Sequence, residues 1–122
     1  MSNKKEGKPS RGILQLNIRD ITALEEHYMP FLRNGGLFIP SRTPYRIGNQ
    51  VFIMLTLMDE KERLPIPGTV VWITPQSAQS AKRPGVGVQF EEQFGEQVRI
   101  KIEHYLENKP VGRGKFGLND DI

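Results

Sequence analysis

The sequence contains no cysteine. That excludes disulfides, thiolate metal sites and a cysteine nucleophile, and it fits a reducing compartment. Histidine is scarce as well. His27 and His104 are the two present; no His-x-x-x-His spacing occurs, and no cysteine completes a zinc set. Long apolar runs are missing: the longest, Val51 to Met58, is broken by Thr56 and is too short to cross a bilayer as a helix. The segment Met1 to Ser10 is polar and lacks the apolar stretch of a secretory signal, so the expectation is a soluble, cytoplasmic protein without membrane insertion. Neither a Gly-x-x-x-x-Gly-Lys-Ser/Thr phosphate loop nor a Gly-x-Ser-x-Gly elbow occurs. The acidic pairs Glu25-Glu26, Glu91-Glu92 and Asp120-Asp121 read as solvated surface, since acid/base work needs two groups converging on one substrate atom. The chain reads as a non-enzyme with no cofactor and no metal.

What is present fits one small domain. The length of 122 residues supports a single core, and hydrophobic residues make up only 37%, which places part of the chain outside that core. The formal charge is +3, and it is unevenly spread. Lys4, Lys5, Lys8 and Arg11 lie in the first eleven residues against Glu6 alone; without that segment thirteen basic and thirteen acidic side chains remain. The positive balance therefore belongs to the lead-in. A nucleic-acid binder carries its basic face on the fold, interleaved with aromatics where it grips single strands; that pattern is missing, so no nucleic-acid partner is expected.

Residues 1–11 read as a flexible basic tail. From Gly12 to Ile18, Leu14, Leu16 and Ile18 alternate with Gln15 and Asn17, the period of a half-buried strand. Asp20 is placed to cap a short helix from Ile21 to His27, which Pro30 stops. Asn34-Gly35-Gly36 is a tight turn requiring positive φ, feeding a short strand, Leu37 to Ile39, that Pro40 closes. Val51 to Leu57 is the strongest strand; after Pro65 and Pro67, Thr69 to Ile73 is another. Residues 75–84 form a polar loop, and Gly85 to Phe90 alternates again. The glycines Gly85 and Gly87 fit backbone packing inside a strand better than a phosphate cradle. Val98, Ile102, Tyr105 and Leu106 then fall on one helical stripe. Residues 108–122 read as a flexible C-terminal tail. This order predicts an all-β small barrel with a C-terminal α-helix packed beside it, over residues 12–107.

Several apolar residues remain in places a small fold struggles to bury. Tyr28-Met29-Pro30-Phe31-Leu32 sits between turn signals, and Trp72, the single tryptophan, lies in a strand whose Val71 and Ile73 point the other way. Two readings stand for Phe31 and Trp72: core aromatics, or members of an exposed patch for another protein. As a patch, the candidate partner-binding residues are Tyr28, Met29, Phe31, Phe38 and Trp72, with Leu14 and Leu16 as a nearby strand face.

Asn34-Gly35-Gly36-Leu37-Phe38-Ile39-Pro40, Ile47-Gly48-Asn49-Gln50-Val51-Phe52 and Gly85-Val86-Gly87-Val88-Gln89-Phe90 resemble a PilZ domain. Gly12-Ile13-Leu14, Tyr28-Met29-Pro30-Phe31, Arg63-Leu64-Pro65 and Val71-Trp72-Ile73-Thr74-Pro75 bring the likeness nearest to the single-domain branch that serves type IV pilus assembly. The resemblance is collinear from residue 12 to 107. It implies a six-stranded β-barrel with a C-terminal helix.

Many PilZ domains hold cyclic di-GMP with an Arg-x-x-x-Arg lead-in and an Asp/Asn-x-Ser-x-x-Gly strand segment, arginine serving because its fork pairs with phosphate and guanine. Aligning the second motif on Gly36 puts Phe31 where Asp or Asn belongs and Arg33 where Ser belongs. Arg11 and Arg19 are eight apart, so the lead-in motif is also degenerate, and direct binding of cyclic di-GMP is expected to be absent. The resemblance to the pilus branch implies an adaptor in type IV pilus biogenesis and twitching motility. Its partners would be the pilus-extension ATPase and a degenerate GGDEF–EAL protein that senses cyclic di-GMP. The alternative is a cyclic di-GMP effector using Arg42, Arg46 or Arg11.

Overall fold

A computed structural model describes residues 11–75 and 83–108. The expected N-terminal tail up to Ser10, the middle of the loop after Pro75 and the expected C-terminal tail from residue 109 lie outside the described residues.

Strand β1 (Gly12–Ile18) turns Leu14, Leu16 and Ile18 inward and Ile13, Gln15 and Asn17 outward, as the alternation predicts. Helix α1 (Ile21–His27) starts at Asp20, whose Oδ1 accepts a hydrogen bond from the Ala23 N–H at 2.8 Å, satisfying one of the orphan donors of the first turn. It ends where Tyr28 becomes extended, two residues before Pro30. Then follow β2 (Gly36–Pro40), β3 (Gln50–Leu57), β4 (Leu64–Ile73), β5 (Gly85–Phe90) and α2 (Glu92–Glu107). The β3 side chains alternate strictly, Val51, Ile53, Leu55 and Leu57 being buried.

The strands form one mixed, curled sheet in the order β1-β3-β4-β5-β2. β1 runs parallel to β3, and the other three ladders are antiparallel. The edge strands β1 and β2 approach each other without sharing a ladder. The described residues thus form a five-stranded half-barrel with a C-terminal helix, where the resemblance implies six strands. The outer edge of β2 shows one reason the sheet stops there. Tyr28 bridges Leu37, the Met29 N–H donates to the Gly36 carbonyl at 2.9 Å, and His27 Nδ1 lies 2.7 Å from the Phe38 carbonyl oxygen. Pro40 lacks an amide at the end of the same edge. An edge so covered has few groups left for a further strand.

Strand β4 begins five residues earlier than the sequence suggests and runs through Pro65 and Pro67. The ladder explains the tolerance. The Pro67 carbonyl accepts from the Glu91 N–H at 3.0 Å, so the polar groups of Pro67 face away from β3. Pro65 has the same parity. The missing amides fall on a side where β4 has no strand partner, because its pairing with β5 starts only at Gly68.

Inside the curl, Leu24, Leu37, Ile53, Val70, Val88, Phe90 and Ile102 are buried. Helix α2 delivers Ile102 fully, with Val98, Tyr105 and Leu106 packed on the core margin, which is the predicted stripe. Two tyrosines tie it down. The Tyr28 hydroxyl donates to Glu103 Oε2 at 2.7 Å, and the Tyr105 hydroxyl donates to Glu60, which also pairs with Lys101 at 2.9 Å. Among the described residues no helix is long and apolar enough to cross a membrane.

Candidate functional site

The end of α1 aims a short apolar segment at one flank of the sheet. Tyr28 is held by its bridge to Leu37 and by its bond to Glu103, and burial together with the Glu103 carboxylate pushes its hydroxyl up to about 12. Met29 follows, fixed through its amide to Gly36. Two turns then bring the chain back: the Leu32 N–H donates to the Met29 carbonyl at 3.3 Å, and the Gly35 N–H to the Leu32 carbonyl at 2.9 Å. Gly35 takes the positive φ of +80°. This tight return leaves Phe31 at its apex, 75% exposed.

The sheet supplies the other wall. Between Val70 and Trp72 the β4–β5 register slips, Val70 facing Val88 and Trp72 facing Gly87. Val71 is the extra residue of a β-bulge, which re-aims its neighbours. Val71 and Trp72 therefore face the same cavity, although a plain strand would put them on opposite faces. Phe38 of β2 stands edge-on to Trp72, ring centroids 6.0 Å apart and planes at 63°, and stacks on His27 at 6.4 Å. The glycines of β5 make the room. A Cβ on Gly87 would stand 3.1 Å from Met29 Sδ and from Trp72 Cβ, and one on Gly85 would lie 2.4 Å from Phe38 Cζ. Aromatic rings thus lie across strand backbone that carries no side chain, the packing role expected for these two positions.

The result is a cavity of about 590 Å³, whose lining includes Tyr28, Met29, Phe31, Phe38 and Trp72. All five residues singled out from the sequence converge on it. Trp72 is 40% exposed, Met29 and Phe38 are half-buried, and only Tyr28 is a core member, at 8%. Leu32, Val71, Thr74, Glu26 and Arg83 complete the lining. Leu32 belongs to the apolar segment; the bulge hides Val71 from a sequence reading, and Glu26 and Arg83 carry no sequence signal that separates them from other surface charges.

Leu14 and Leu16 do not join this surface. They are 6% and 7% exposed, on the inward face of β1 at the opposite edge of the sheet, because the period of two that marks them as a strand face also turns that face into the core. The arginines of the alternative reading are dispersed. Arg11 is engaged structurally: its guanidinium donates to the carbonyls of Val51 at 3.1 Å and Gly68 at 3.3 Å, pairs with Glu91 at 2.9 Å, and lies 4.6 Å from the centre of the Phe52 ring. Arg42 lines a separate cavity of about 420 Å³ to which neither Arg11 nor Arg46 contributes. Among the described residues no three His, Cys, Asp or Glu side chains gather as a metal site would require.

Chemically the main cavity is an apolar recess with one acid and one base on its lining. Among the described residues its lining offers a single cation, Arg83, rather than a pair for two phosphates. Its volume falls in the range of sites that take small ligands or protein anchors, and its exposed aromatics are the residue types that dominate protein interfaces.

No curated protein matches the chain in sequence. Over residues 13–108 the sequence matches the PilZ domain, and the chain belongs to the PilZ domain family, whose members are generally non-catalytic binding domains of cyclic di-GMP-related signalling or adaptor roles.

Proposed function

We propose that this protein is a non-enzymatic adaptor in type IV pilus biogenesis and twitching motility. It binds the pilus-extension ATPase and a degenerate GGDEF–EAL protein through the apolar cavity, without itself binding cyclic di-GMP. The supporting observation is the convergence of Tyr28, Met29, Phe31, Phe38 and Trp72 on one recess. Phe31 stands where the ligand-binding members carry a small polar residue, so a surface suited to a charged nucleotide becomes one suited to a protein anchor.

The test is co-purification with the pilus-extension ATPase, using wild type, Phe31→Ala and Trp72→Ala. Covering an exposed aromatic contributes about 1.5–2 kcal/mol, so each substitution should weaken capture roughly tenfold or more, with an unchanged circular dichroism spectrum. Capture indifferent to both substitutions refutes the docking role. The family's ligand is tested separately, by calorimetric titration of wild type and an Arg42→Ala/Arg46→Ala variant with cyclic di-GMP. Micromolar binding by the wild type would overturn the adaptor-only reading, and its loss in the variant would assign the ligand to those arginines.

A further inference from the structure

The two edges of the half-barrel differ. That of β2 is covered by residues 27–29, whereas β1 ends the sheet on the other side. The ladder of β1 fixes which of its backbone groups face outward. The Met58 N–H donates to the Ile18 carbonyl at 2.6 Å, one residue beyond the parallel pair Ile18↔Leu57. In a parallel ladder a residue bonded in this way turns both its amide and its carbonyl to the neighbouring strand, and the residues flanking it turn theirs away. Ile18, Leu16 and Leu14 therefore bond to β3, while Ile13, Gln15 and Asn17 aim their amides and carbonyls at the open side. The prolines of β4 agree with this parity: Pro65 and Pro67 stand opposite Met54 and Phe52, whose own groups are taken by β1. Among the described residues, no other group bonds to the main chain of Ile13, Gln15 or Asn17. Unpaired groups of this kind lie where water or another chain can reach them, and all three residues are exposed.

Sheet proteins protect such an edge with charge, proline, a bulge or a cover. Gly12–Ile18 contains no charged residue and no proline, and it pairs with β3 without a register shift. The core side of the strand is unfinished too. Leu14 and Leu16 retain some exposure, while Val51, Ile53 and Leu55 of β3 have none. A strand laid along β1 would complete both features, pairing the free backbone groups and covering the two leucines with its inward side chains. Charge selects the occupant. Arg19, just past the strand and exposed, has no ion-pair partner among the described residues, whereas Arg11 at the other end pairs with Glu91 at 2.9 Å. Only the Arg19 end calls for a carboxylate. A second copy does not supply it. The antiparallel register that sets Ile13 opposite Asn17, and Gln15 opposite itself, also sets Arg11 of each copy opposite Arg19 of the other.

We infer that the free edge of β1 is a second docking site, and that its occupant is an extended segment of another protein, apolar on its inward positions and carrying a carboxylate beside Arg19. No residue of β1 lines the apolar recess, so this site does not rest on the adaptor reading. The bound segment extends the five-stranded sheet by one strand, antiparallel to β1. Its main-chain bonds hold it, its inward side chains close over Leu14 and Leu16, and its acidic end fixes direction and register.

The probe is the peptide acetyl-Glu-Val-Thr-Val-Thr-Val-Thr-amide. Its antiparallel register sets the glutamate beside Arg19, the valines opposite Ile18, Leu16 and Leu14, and the threonines opposite Asn17, Gln15 and Ile13. Amide hydrogen exchange of the full chain is followed residue by residue by NMR. In the dilute free protein the amides of Ile13, Gln15 and Asn17 should exchange at least about tenfold faster than those of Leu14, Leu16 and Ile18. Saturating peptide should slow the first set about tenfold and leave the second unchanged. N-methylation of the central threonine should weaken binding about tenfold or more, and so should lysine in place of the peptide's glutamate. On the protein, Gln15→Pro deletes one outward amide and no bond to β3, so it should lose the peptide, while Gln15→Ala should keep it. Edge amides already slow in the dilute protein overturn the proposal, as does the absence of slowing at about 1 mM peptide. Equal binding of the N-methylated peptide overturns it as well, and that comparison needs no protein variant to fold. Protection that grows with protein concentration gives the edge to a second copy and refutes the proposed partner.

Discussion

Gly36 is the position on which the resemblance aligns the glycine of the nucleotide-binding strand motif, and a steric cause that involves no ligand favours glycine there. Its φ is not positive, unlike that of Gly35. A Cβ built there would lie 2.4 Å from the Val88 carbonyl oxygen, 2.6 Å from Leu32 Cδ1 and 3.2 Å from Gln89 Cα. Leu32 can rotate away, but the two backbone atoms belong to β5, paired in register with β2 at Gly36↔Gln89 and Leu37↔Val88. Relief requires the strands to part at the first pair of the ladder. Such overpacking costs about 1–3 kcal/mol, and the backbone contact puts Gly36→Ala at the upper end. For a domain of this size that lowers the melting temperature by roughly 8–20 °C. Gly48 supplies the control: its φ is +96° and a methyl added there would have nothing within 4 Å, so Gly48→Ala carries only the left-handed backbone cost of about 1–2 kcal/mol. Urea denaturation of both variants ranks the two effects. If Gly36→Ala is no more destabilised than Gly48→Ala, close strand approach is not what holds glycine at position 36. Parting β2 from β5 also moves Phe38 off Trp72, so the native tryptophan emission should shift in Gly36→Ala and stay put in Gly48→Ala.

Three further outcomes follow from burial and bonding. Ile102→Ala removes a fully buried side chain of α2 and should cost about 2–5 kcal/mol, whereas Phe31→Ala should stay within about 0.5 kcal/mol of wild type; equal losses in denaturant titrations would make Phe31 a core residue. The hydroxyls of Tyr28 and Tyr105 are both raised from 10.0 to about 12, the first chiefly by burial and the second chiefly by its bond to Glu60. A folded value above the unfolded one means a contribution fully present below pH 10 and lost as pH climbs through 12; the urea midpoint should fall across that window, and a Tyr28→Phe/Tyr105→Phe variant should show a flatter fall from a lower start. Arg11→Ala should cost about 1–2 kcal/mol in the same assay, through its bonds to Val51, Gly68 and Glu91, and a null effect would show the clamp to be solvent-screened.

Local chemistry makes much of this fold legible. The bounds of β1 and α1 follow from alternation and from one capping aspartate, and both signals act within a few residues. The start of β4 does not follow. Proline argues against a strand only where its amide faces a partner, and which side of β4 lacks a partner is fixed by where β5 ends. The parallel pairing of β1 with β3 is likewise non-local, since no short-range pattern distinguishes a parallel neighbour from an antiparallel one at a half-buried strand. The site shows the same division. Its aromatics stand out in the sequence because they outnumber what a small core would hold, yet plain alternation puts Val71 on the wrong face. One extra residue in the register reverses the alternation that such an assignment uses.

The bulge and the glycines together account for an apolar recess at this place rather than a smooth sheet face. Without the slip at Val71, Trp72 would alternate regularly with its neighbours and Val71 would face elsewhere. With side chains at positions 85 and 87, the Phe38 ring and the Met29 thioether would have nowhere to lie. The recess is built by subtraction on β5 and by one insertion on β4, both inside a ladder that otherwise pairs regularly. Its shape is therefore carried by backbone, whereas its polarity is carried by replaceable side chains such as Phe31. Substituting polar residues for Phe31 and Trp72 should change what the recess accepts while leaving the half-barrel intact. Shape and polarity are thus set by different parts of the chain, and side-chain substitution alone can change the chemistry of the recess.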